Sequence, residues 1–334
     1  MRIESLTLAE WDNALPDDGF EVFHTPEALS VLDEHASGEL RLYGGFKGQQ
    51  PVGLLPAVVQ ERSLGTAVLS PPPGMGVPRL GPVLMPTSPK RRKREKVNST
   101  FTEQVLDELA ADRRTTLFRM ICNTEYVDPR PYVWADLDLD TAFTYRLDLG
   151  ETTADAVLDS FSKSLRREIR DGRDLDVTVT QEGIGGARAV YEHTRERYAE
   201  QDRQFPISWP YVRDLIVALD ERARVYVART PEGEFLSGIT VLYSNDAAYF
   251  WQGGSRATYR NVSVNSLLHW RIVEDVVTDP PLDSVHHYDL MGANTERLCR
   301  YKSKFGADLV PYYVVESPGR HMDVAKRAYR MLAR

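Results

Sequence analysis

Two lysines whose ammonium groups could do chemistry, Lys302 and Lys304, lie in the segment YKSKFG at residues 301–306. Lysine is rare in this chain, because only eight of the 41 basic residues are lysines and the rest are arginines. Ammonium groups bind phosphate and carboxylate and stabilise negative charge that develops in a transition state. The alternative is that these cations only complement the dipole of a helix at its C-terminal end.

Strand and helix signals alternate around these lysines. Residues 285–291 are an apolar and aromatic run that predicts a strand ending at the turn residue Gly292. Residues 293–305 have helical spacing, and Gly306 stands where a helix ends with a positive φ. Residues 309–315 are rich in β-branched and aromatic types and predict another strand. The pattern therefore places both lysines in the last turn of a helix.

Length and charge limit the classes of function. A chain of 334 residues suggests about two domains of ordinary size. The hydrophobic content of 42% is sufficient for a substantial core. The net charge of −8 and the pI of about 5.5 exclude a chain-wide cationic surface for nucleic acid, so we expect no DNA partner. Arginine-rich usage beside 49 acidic residues is compatible with a salt-rich cytoplasm.

Cysteines, histidines and apolar runs give further expectations. Cys122 and Cys299 belong to different predicted elements, which predicts free thiols in a reducing compartment. No apolar run reaches the ~18 residues of a membrane span, and the N-terminus lacks a signal-peptide core, so the sequence predicts a cytoplasmic protein. His286 and His287 are expected on opposite faces of one strand, and we predict no metal site there.

The first half of the chain reads as an α/β unit. Thr25 and Pro26 have the types of a helix N-cap and first helical position. Residues 40–46 and 51–60 predict two strands of a hairpin. Residues 70–89 contain seven prolines and three glycines, and they predict a surface linker or, as their apolar residues favour, an ordered loop lining a pocket.

The sharpest charge run is KRRKREK at residues 90–96. Such a run could contact phosphate groups. The other interpretation, which we favour, is a solvated start of the helix that continues to about residue 111.

A second unit begins with a helix at Thr152 or Thr153. Thr152 and Asp155 resemble a capping box, and apolar residues from 157 to 169 form one stripe at helical spacing. Arginines on the other faces of this helix are either solvated or available to a ligand. Further helices are predicted at residues 186–203 and 211–219.

Three antiparallel strands, a polar loop, a helix, a strand, a helix and a last strand then follow in order. The strands are predicted at residues 224–229, 235–243 and 247–252, and the long helix at 262–277. This order matches the core of GNAT-type acyltransferases. The loop before the long helix reads GGSRATYRN and lacks the Gln/Arg-x-x-Gly-x-Gly/Ala pattern with which that fold binds the phosphates of acyl-coenzyme A.

Three segments resemble Fem-type proteins, also described as FemAB-like or BioF2-like acyltransferases. They read FSKSLRREIRDG (161–172), YDLMGANTERLCRYKSKFG (288–306) and SPPPGMGVPRLGPVL (70–84), with Tyr301 in place of the usual Phe. The resemblance implies an α/β fold of two tandem GNAT-like domains with mixed, largely antiparallel sheets flanked by helices. It places the first domain at 1–150, with 316–334 packing back on it, and the second at 151–315.

The same resemblance implies a function. Fem-type enzymes transfer an aminoacyl group from tRNA to an amine of a peptidoglycan precursor, and other members are acyltransferases. We therefore expect an N-acyltransferase that acts on an amine of a cell-envelope or surface-glycan precursor, either a small molecule or a glycan or peptide precursor. The donor, acyl-CoA or aminoacyl-tRNA, is not expected to stay tightly bound, and the protein is expected to be a monomer or homodimer. The alternative is a non-catalytic binding protein that retains the fold.

Candidate site residues follow from this chemistry, which must deprotonate an amine, stabilise an oxyanion and align the reactants. Lys302 is the candidate electrophilic or phosphate-holding cation. Asp289 is a candidate base at a strand end, with a structural role in the turn as the alternative. Trp251 is either cleft lining or plain core. The full set of predicted substrate-binding residues is Lys304, Arg167, Arg170, Trp251, Gln252, Arg256, Tyr259 and Asn294.

Overall fold

The computed structural model describes residues 1–319, except Leu64, Pro86, Thr87, Asp112, Arg114, Ser255 and Arg256. The chain forms two compact units. Unit 1 contains Met1–Ala142 and Pro311–Arg334, and unit 2 contains Phe143–Val310. The C-terminal segment 316–334 was predicted to pack on the first domain. Residues 320–334 of this segment lie outside the described residues.

Helices and strands alternate along both units. The α-helices are α1 (Leu8–Ala14), α2 (Pro26–His35), α3 (Arg91–Glu108), α4 (Arg130–Trp134), α5 (Ala154–Ser160), α6 (Lys163–Arg173), α7 (Ile184–Ala199), α8 (Trp209–Leu219), α9 (Val264–Thr278) and α10 (Glu296–Lys302). The strands are β1 (Arg2–Ser5), β2 (Glu39–Lys47), β3 (Gln50–Arg62), β4 (Gly65–Ser70), β5 (Val83–Leu84), β6 (Thr116–Ile121), β7 (Asp138–Asp148), β8 (Thr178–Glu182), β9 (Ala223–Arg229), β10 (Phe235–Tyr243), β11 (Ala247–Gly253), β12 (Thr258–Tyr259), β13 (Val262–Ser263), β14 (His287–Asp289) and β15 (Asp308–Glu316).

Unit 1 has six strands in the order β1-β2-β3-β4-β6-β15, and β5 pairs with β3 at the side. All neighbours are antiparallel except β4 and β6, which are parallel. Helices α1 and α2 connect β1 to β2, and α3 lies in the connection from β4 to β6. A parallel pair requires such a crossover connection, which explains the long helix at this point of the chain.

Unit 2 repeats this topology with six strands in the order β8-β9-β10-β11-β14-β7. Again only one pair, β11 and β14, is parallel. Helices α7 and α8 connect β8 to β9, and α9 lies between β11 and β14. The two units are therefore two copies of one α/β plan, which confirms the predicted class of fold.

Several local predictions are confirmed by their hydrogen bonds. Thr25 is the N-cap of α2, its side chain accepts from the backbone N–H of Ala28, and Pro26 opens the helix. The proline-rich segment is ordered over its described residues, since Leu80 is fully buried. The single hydroxyl proton of Ser70 has two acceptors within reach, since Oγ lies 2.7 Å from the carbonyl oxygen of Pro56 and 2.9 Å from that of Leu80, and it so fixes this loop to β3.

The single helical stripe predicted for residues 157–169 is wrong in one respect. The structure has two helices, because Phe161 has an extended backbone and Ser162 starts α6 as its N-cap. Thr153, not Thr152, caps α5 by accepting from the N–H of Ala156. Phe161 still packs in the core, against Trp270 and Phe305. The helical spacing of the apolar residues therefore predicted correctly that Phe161 is buried, but it could not show that the helix is interrupted there.

A β-bulge interrupts β11 where it pairs with β10. Val241 is opposite Phe250 and Thr240 is opposite Gln252, so Trp251 is the extra residue. Just beyond it, Gly253 has a φ of 97°, and a Cβ there would lie 2.1 Å from the carbonyl oxygen of Gly238. Only glycine allows this approach of the two strands.

Replacing Gly253 with alanine is expected to destabilise unit 2 by at least about 2 kcal/mol more than the same change at Gly233. Gly233 is the matched control because its φ is 88° but a Cβ there meets nothing within 4 Å. Urea denaturation of the two variants measures the difference. Equal destabilisation would mean that the close approach to Gly238 has no cost and that only the backbone conformation matters.

Candidate functional site

Strands β11 and β14 part from each other in the middle of unit 2. Their pairing ends with Tyr249 opposite Asp289, while β11 continues to Gly253. The chain after β14 stays with β7 instead, because the N–H groups of Leu290 and Ala293 donate to carbonyl oxygens of β7, each at 2.8 Å. An opening therefore forms between two parallel strands at their carboxyl ends, where α/β sheets generally bind ligands.

The ammonium group of Lys302 lies at this opening. Its Nζ donates to the carbonyl oxygens of Met291 and Gly292, the latter at 3.1 Å. It is also 5.6 Å from the ring centroid of Phe250 on β11. Only 6% of the residue is exposed. Burial lowers the pKa of Lys302 to about 8, although the negative charge of Asp289 acts in the opposite direction.

The local sequence explains how Lys302 reaches this position. Thr295 caps α10 by accepting from the N–H of Leu298, and α10 ends at Lys302. A 3₁₀ turn at Ser303–Phe305 follows, and it stops at Gly306, whose φ of 67° confirms the predicted stop. The Nζ contacts carbonyl groups that precede α10, not the last carbonyl groups of that helix. A simple role in complementing the helix dipole therefore does not account for the position of Lys302.

Asp289 is almost fully buried, and its carboxylate organises the turn after β14. Its Oδ1 accepts from Thr144 Oγ1 at 2.5 Å and from the backbone N–H of Met291 at 2.7 Å. Met291 and Gly292 both have positive φ values, 57° and 58°. These contacts favour the structural alternative: Asp289 positions the carbonyl groups that hold Lys302, and its charge acts on the ammonium group from nearby.

A buried histidine behind this opening was not predicted from the sequence. His269 on α9 is 1% exposed, and its Nδ1 lies 2.8 Å from the hydroxyl of Tyr288. Its ring packs edge-on against Phe250, with centroids 4.8 Å apart. Burial, with a smaller effect from Lys302, lowers the pKa of His269 to about 3, so the imidazole is neutral. In the sequence it is a lone histidine on an apolar helix, a pattern typical of core residues.

The predicted cations on α6 and near Lys302 are closer to solvent. Lys304 Nζ pairs with Glu168 Oε1 at 3.1 Å, and both side chains are about one-third exposed. Arg167 is 75% exposed in its side chain and pairs with Asp171 at 3.4 Å, and Arg170 is also exposed. Glu168 thus links α6 to Lys304, whereas the two arginines lie on the solvent-facing side of the helix.

Trp251 and Gln252 lie together at the bulge of β11. The ring of Trp251 is half-buried and 6.5 Å from that of Tyr211. Gln252 is only 5% exposed, yet within the described residues neither atom of its side-chain amide has a hydrogen-bond partner. The hydroxyl of Thr240, its cross-strand neighbour, is in the same situation among those residues. Buried polar groups are normally paired, so these two side chains are available to hydrogen-bond a ligand.

The remaining predicted residues have different surroundings. Asn294 binds the backbone of Phe143 twice, accepting from its N–H at 2.9 Å and donating to its carbonyl oxygen at 3.2 Å. This pairing fixes the segment before α10 to β7, which gives Asn294 a structural role. Tyr259 is on β12 with the guanidinium of Arg260 5.2 Å from its ring. Arg256 lies outside the described residues.

The two adjacent histidines are closer together than expected. Their ring centroids are 4.1 Å apart, because His286 precedes β14 and does not follow the alternation of that strand. Among the residues that the structure describes, neither histidine belongs to a group of three possible metal ligands. Both cysteines are free thiols, as predicted.

Comparisons with known proteins agree with this geometry. Residues 159–303 match the family model described as Acetyltransferase (GNAT) domain. The crystal structure of FemX is similar over 100% of both chains, with a TM-score of 0.70 and 11% identity. The C-terminal domain of a putative lysylphosphatidylglycerol synthetase from Agrobacterium fabrum has a TM-score of 0.53 and 12% identity over 90% of this chain and 94% of that chain.

A third similar structure is L-PGS from Bacillus licheniformis, with a TM-score of 0.54 and 14% identity over 92% of this chain and 97% of that chain. No curated protein matches the chain. Among the described residues, no helix is both long enough and apolar enough to cross a bilayer. Residues 159–303 are therefore an acetyltransferase (GNAT) domain, which confirms the predicted N-acyltransferase class, and the whole chain has a fold similar to that of FemX.

Proposed function

We propose that the protein transfers an acyl or aminoacyl group to an amine of a cell-envelope or surface-glycan precursor, and that Lys302 is the catalytic cation. One observation carries the proposal: a buried ammonium group lies where β11 and β14 part. The family match over residues 159–303 supports acyl transfer. The FemX-like and lysylphosphatidylglycerol-synthetase-like folds support an envelope-related acceptor.

The reaction makes one bond and breaks another. The amine nitrogen attacks the carbonyl carbon of the donor, and the carbonyl oxygen takes the negative charge of a tetrahedral intermediate. The intermediate then expels the sulfur of a thioester or the oxygen of an ester, which takes up the proton that the nitrogen releases, so that the products are an amide and a thiol or a hydroxyl group. A cation already fixed in a water-poor site stabilises the oxyanion without reorganisation, and this is the role we give Lys302.

The donor is either an acyl-CoA or an aminoacyl-tRNA, and it acts as a substrate that leaves after each turnover. Gln252 and Thr240 supply hydrogen-bonding atoms that have no partner among the described residues, at the bulge next to the end of β11. A buried amide that both donates and accepts suits an amide or hydroxyl group of one reactant. We assign these two buried polar side chains to the positioning of that reactant, with the half-buried Trp251 next to them on β11.

The rate of transfer is expected to fall as the pH rises through about 8. Burial lowers the pKa of Lys302 to about 8, so the ammonium form predominates below that pH and is lost above it. A pH profile of kcat/KM from pH 6 to about 10 checks this, with Lys304→Ala as control for general charge effects. A profile that rises through the same range would assign Lys302 the opposite role, a neutral amine acting as base.

A second function is a non-catalytic binding protein that keeps the fold. Two observations favour it: Lys304 is already paired with Glu168, and the loop before α9 lacks the acyl-CoA phosphate pattern. Isothermal titration with acetyl-CoA and with a mixture of aminoacyl-tRNAs measures binding, and mass spectrometry of an added amine acceptor measures transfer. Binding of a donor without any amide product would favour this second function.

A further inference from the structure

A strongly basic surface lies at the start of α3 in unit 1, far along the chain from the candidate catalytic residues. Six of the seven residues from 90 to 96 are lysine or arginine, and the seventh is Glu95. All six basic residues are exposed, and the side chain of Arg91 is 86% exposed. The concentration of charge is local, because the chain as a whole has a net charge of −8.

Most of these cations have no carboxylate partner among the residues that the structure describes. Arg91 pairs with Glu95, and Arg94 donates to the carbonyl oxygens of Ser88 and Pro89. For Lys90, Arg92, Lys93 and Lys96, the described part of the chain provides no ion pair. A helix start is an unfavourable place for cations, because the helix dipole is positive there. The run therefore does not stabilise its own helix, which points to an external anionic partner.

Large apolar side chains are exposed beside this charge. Val127 is 77% exposed, Val133 46% and Trp134 63%. Arg130 connects the two features, since its Nη2 donates to Glu95 at 2.8 Å and its guanidinium lies 5.6 Å from the ring of Trp134. The apolar side chains thus border the basic start of α3.

The apolar side chains are held outward by the fold. In the short helix α4, Pro131 and Tyr132 are buried and anchor it to unit 1, so the next two residues, Val133 and Trp134, are presented to solvent. Asn98 of α3 donates to the carbonyl oxygen of Asp128 at 2.7 Å and fixes the preceding loop. Their exposure is therefore a property of ordered structure.

A cavity of about 830 Å³ opens within the same surface. Its walls include the apolar residues Leu84, Met85, Val97 and Tyr313, and Arg91, Arg94 and Arg130 also line it. Three acidic residues, Glu95, Glu125 and Asp128, also line the cavity, and Asp128 accepts a hydrogen bond from Arg130. The volume and the mixed lining are those of a site for an amphiphilic ligand.

We propose that this surface, formed by residues 90–96, Val127, Val133 and Trp134, binds the face of an anionic lipid bilayer. The cations contact the lipid phosphates, and the three apolar side chains enter the boundary between headgroups and acyl chains, where tryptophan is favoured. RNA is the other anionic partner to consider. It is less suited, because exposed valines contribute nothing to phosphate binding and stack poorly with bases.

This inference goes beyond the proposed function and does not depend on it, since binding is measured without any acyl donor or acceptor. The test is cosedimentation of the full-length protein with large unilamellar vesicles, either pure phosphatidylcholine or an equal mixture with phosphatidylglycerol. We expect binding only to the mixed vesicles and a marked loss of binding when salt rises from about 0.1 M to 1 M.

Two pairs of variants separate charge from apolar contact. The double variant Arg92→Glu/Lys93→Glu is expected to lower the partition coefficient between vesicles and water at least about 30-fold, because each surface cation raises that coefficient roughly fivefold. The matched control reverses Lys47 and Arg62, which are exposed elsewhere in unit 1. Val127→Ser is expected to lower the coefficient about threefold, and Val217→Ser, another exposed valine, to leave it unchanged.

Three results would overturn the proposal. The first is equal sedimentation with both kinds of vesicle, and the second is equal loss in the Arg92/Lys93 variant and the Lys47/Arg62 control. The third is binding of transfer RNA in a filter assay by a protein that does not bind vesicles. In that case the RNA binding would be lost when Arg92 and Lys93 are changed to Glu and would be unaffected by Val127→Ser. Each result is independent of whether Lys302 supports acyl transfer.

Discussion

Replacement of Lys302 with alanine is expected to lower kcat/KM for acyl transfer by about 10²- to 10³-fold, the usual effect of removing one fixed donor from an oxyanion site. The ammonium group has two backbone carbonyl partners and lies over Phe250 at the point where β11 and β14 part. No other lysine or arginine among the described residues is as deeply buried within unit 2. The loss should appear mainly in kcat, because the charge is needed when the carbonyl oxygen becomes negative.

Two further variants test whether the charge or the packing of Lys302 matters. Lys302→Met keeps most of the volume and removes the charge, so it should be as inactive as the alanine variant but melt close to wild type. Lys304→Ala removes a partly exposed lysine two residues away and should change kcat/KM only a few-fold. If activity in the methionine variant is restored while the alanine variant is inactive, Lys302 acts through packing and our assignment is wrong.

The largest expected effect on stability is in unit 1, at the buried ion pair of Arg79 and Glu21. The guanidinium binds both carboxylate oxygens, at 2.6 Å and 3.2 Å, and the two side chains are only 1% and 3% exposed. Arg79→Ala leaves the Glu21 carboxylate buried without its cation, which is expected to cost about 3–5 kcal/mol of unfolding free energy. Urea denaturation monitored by circular dichroism measures this change.

The matched control is Arg41→Ala, which breaks the exposed pair of Arg41 and Glu39. That pair is largely solvated and should contribute less than about 1 kcal/mol. Replacement of Arg79 and Glu21 together by methionine should recover most of the loss, because no charge then stays buried. If Arg79→Ala lowers the unfolding free energy no more than Arg41→Ala does, the buried pair of Arg79 and Glu21 does not stabilise unit 1.

Local signals in the sequence were sufficient to predict most of the fold. Pro26 after Thr25, the positive φ of Gly306 and the β2–β3 hairpin are all decided by residues close in the chain. The order of strands and helices in unit 2 was likewise readable from periodicity. The break between α5 and α6 was not, since Phe161 is apolar at the expected helical position and only its backbone conformation departs from the helix.

The candidate site was predicted in part. The sequence singles out Lys302 as a candidate because lysine is rare and because YKSKFG resembles a family motif. Its burial could not be predicted, since that depends on the carbonyl groups of Met291 and Gly292, which the turn after β14 aims back at α10. Asn294 was assigned to substrate, yet its partner is Phe143, 151 residues earlier in the chain. Sequence spacing carries no information about such a distant contact.

The positions of His269 and Gln252 also depend on contacts that the sequence does not show. A single histidine on the apolar helix α9 gives no functional signal, and only its contact with Tyr288 and Phe250 places it behind Lys302. Gln252 was predicted to bind substrate, but its buried amide, which has no partner among the described residues, lies at a bulge where Trp251 is the extra residue. A β-bulge depends on how two strands pair, so it cannot be predicted from the sequence of one strand alone.

The most direct test of the account is a transfer assay with isotopically labelled donors. Wild type and Lys302→Met are each incubated with labelled acetyl-CoA or labelled aminoacyl-tRNAs and with a pool of amine-bearing envelope precursors, and amide products are identified by mass spectrometry. We predict a labelled amide with wild type from one of the two donors and none with Lys302→Met. Equal labelling by both proteins, or donor binding without any labelled amide in either, would contradict the assignment of Lys302 as the catalytic cation.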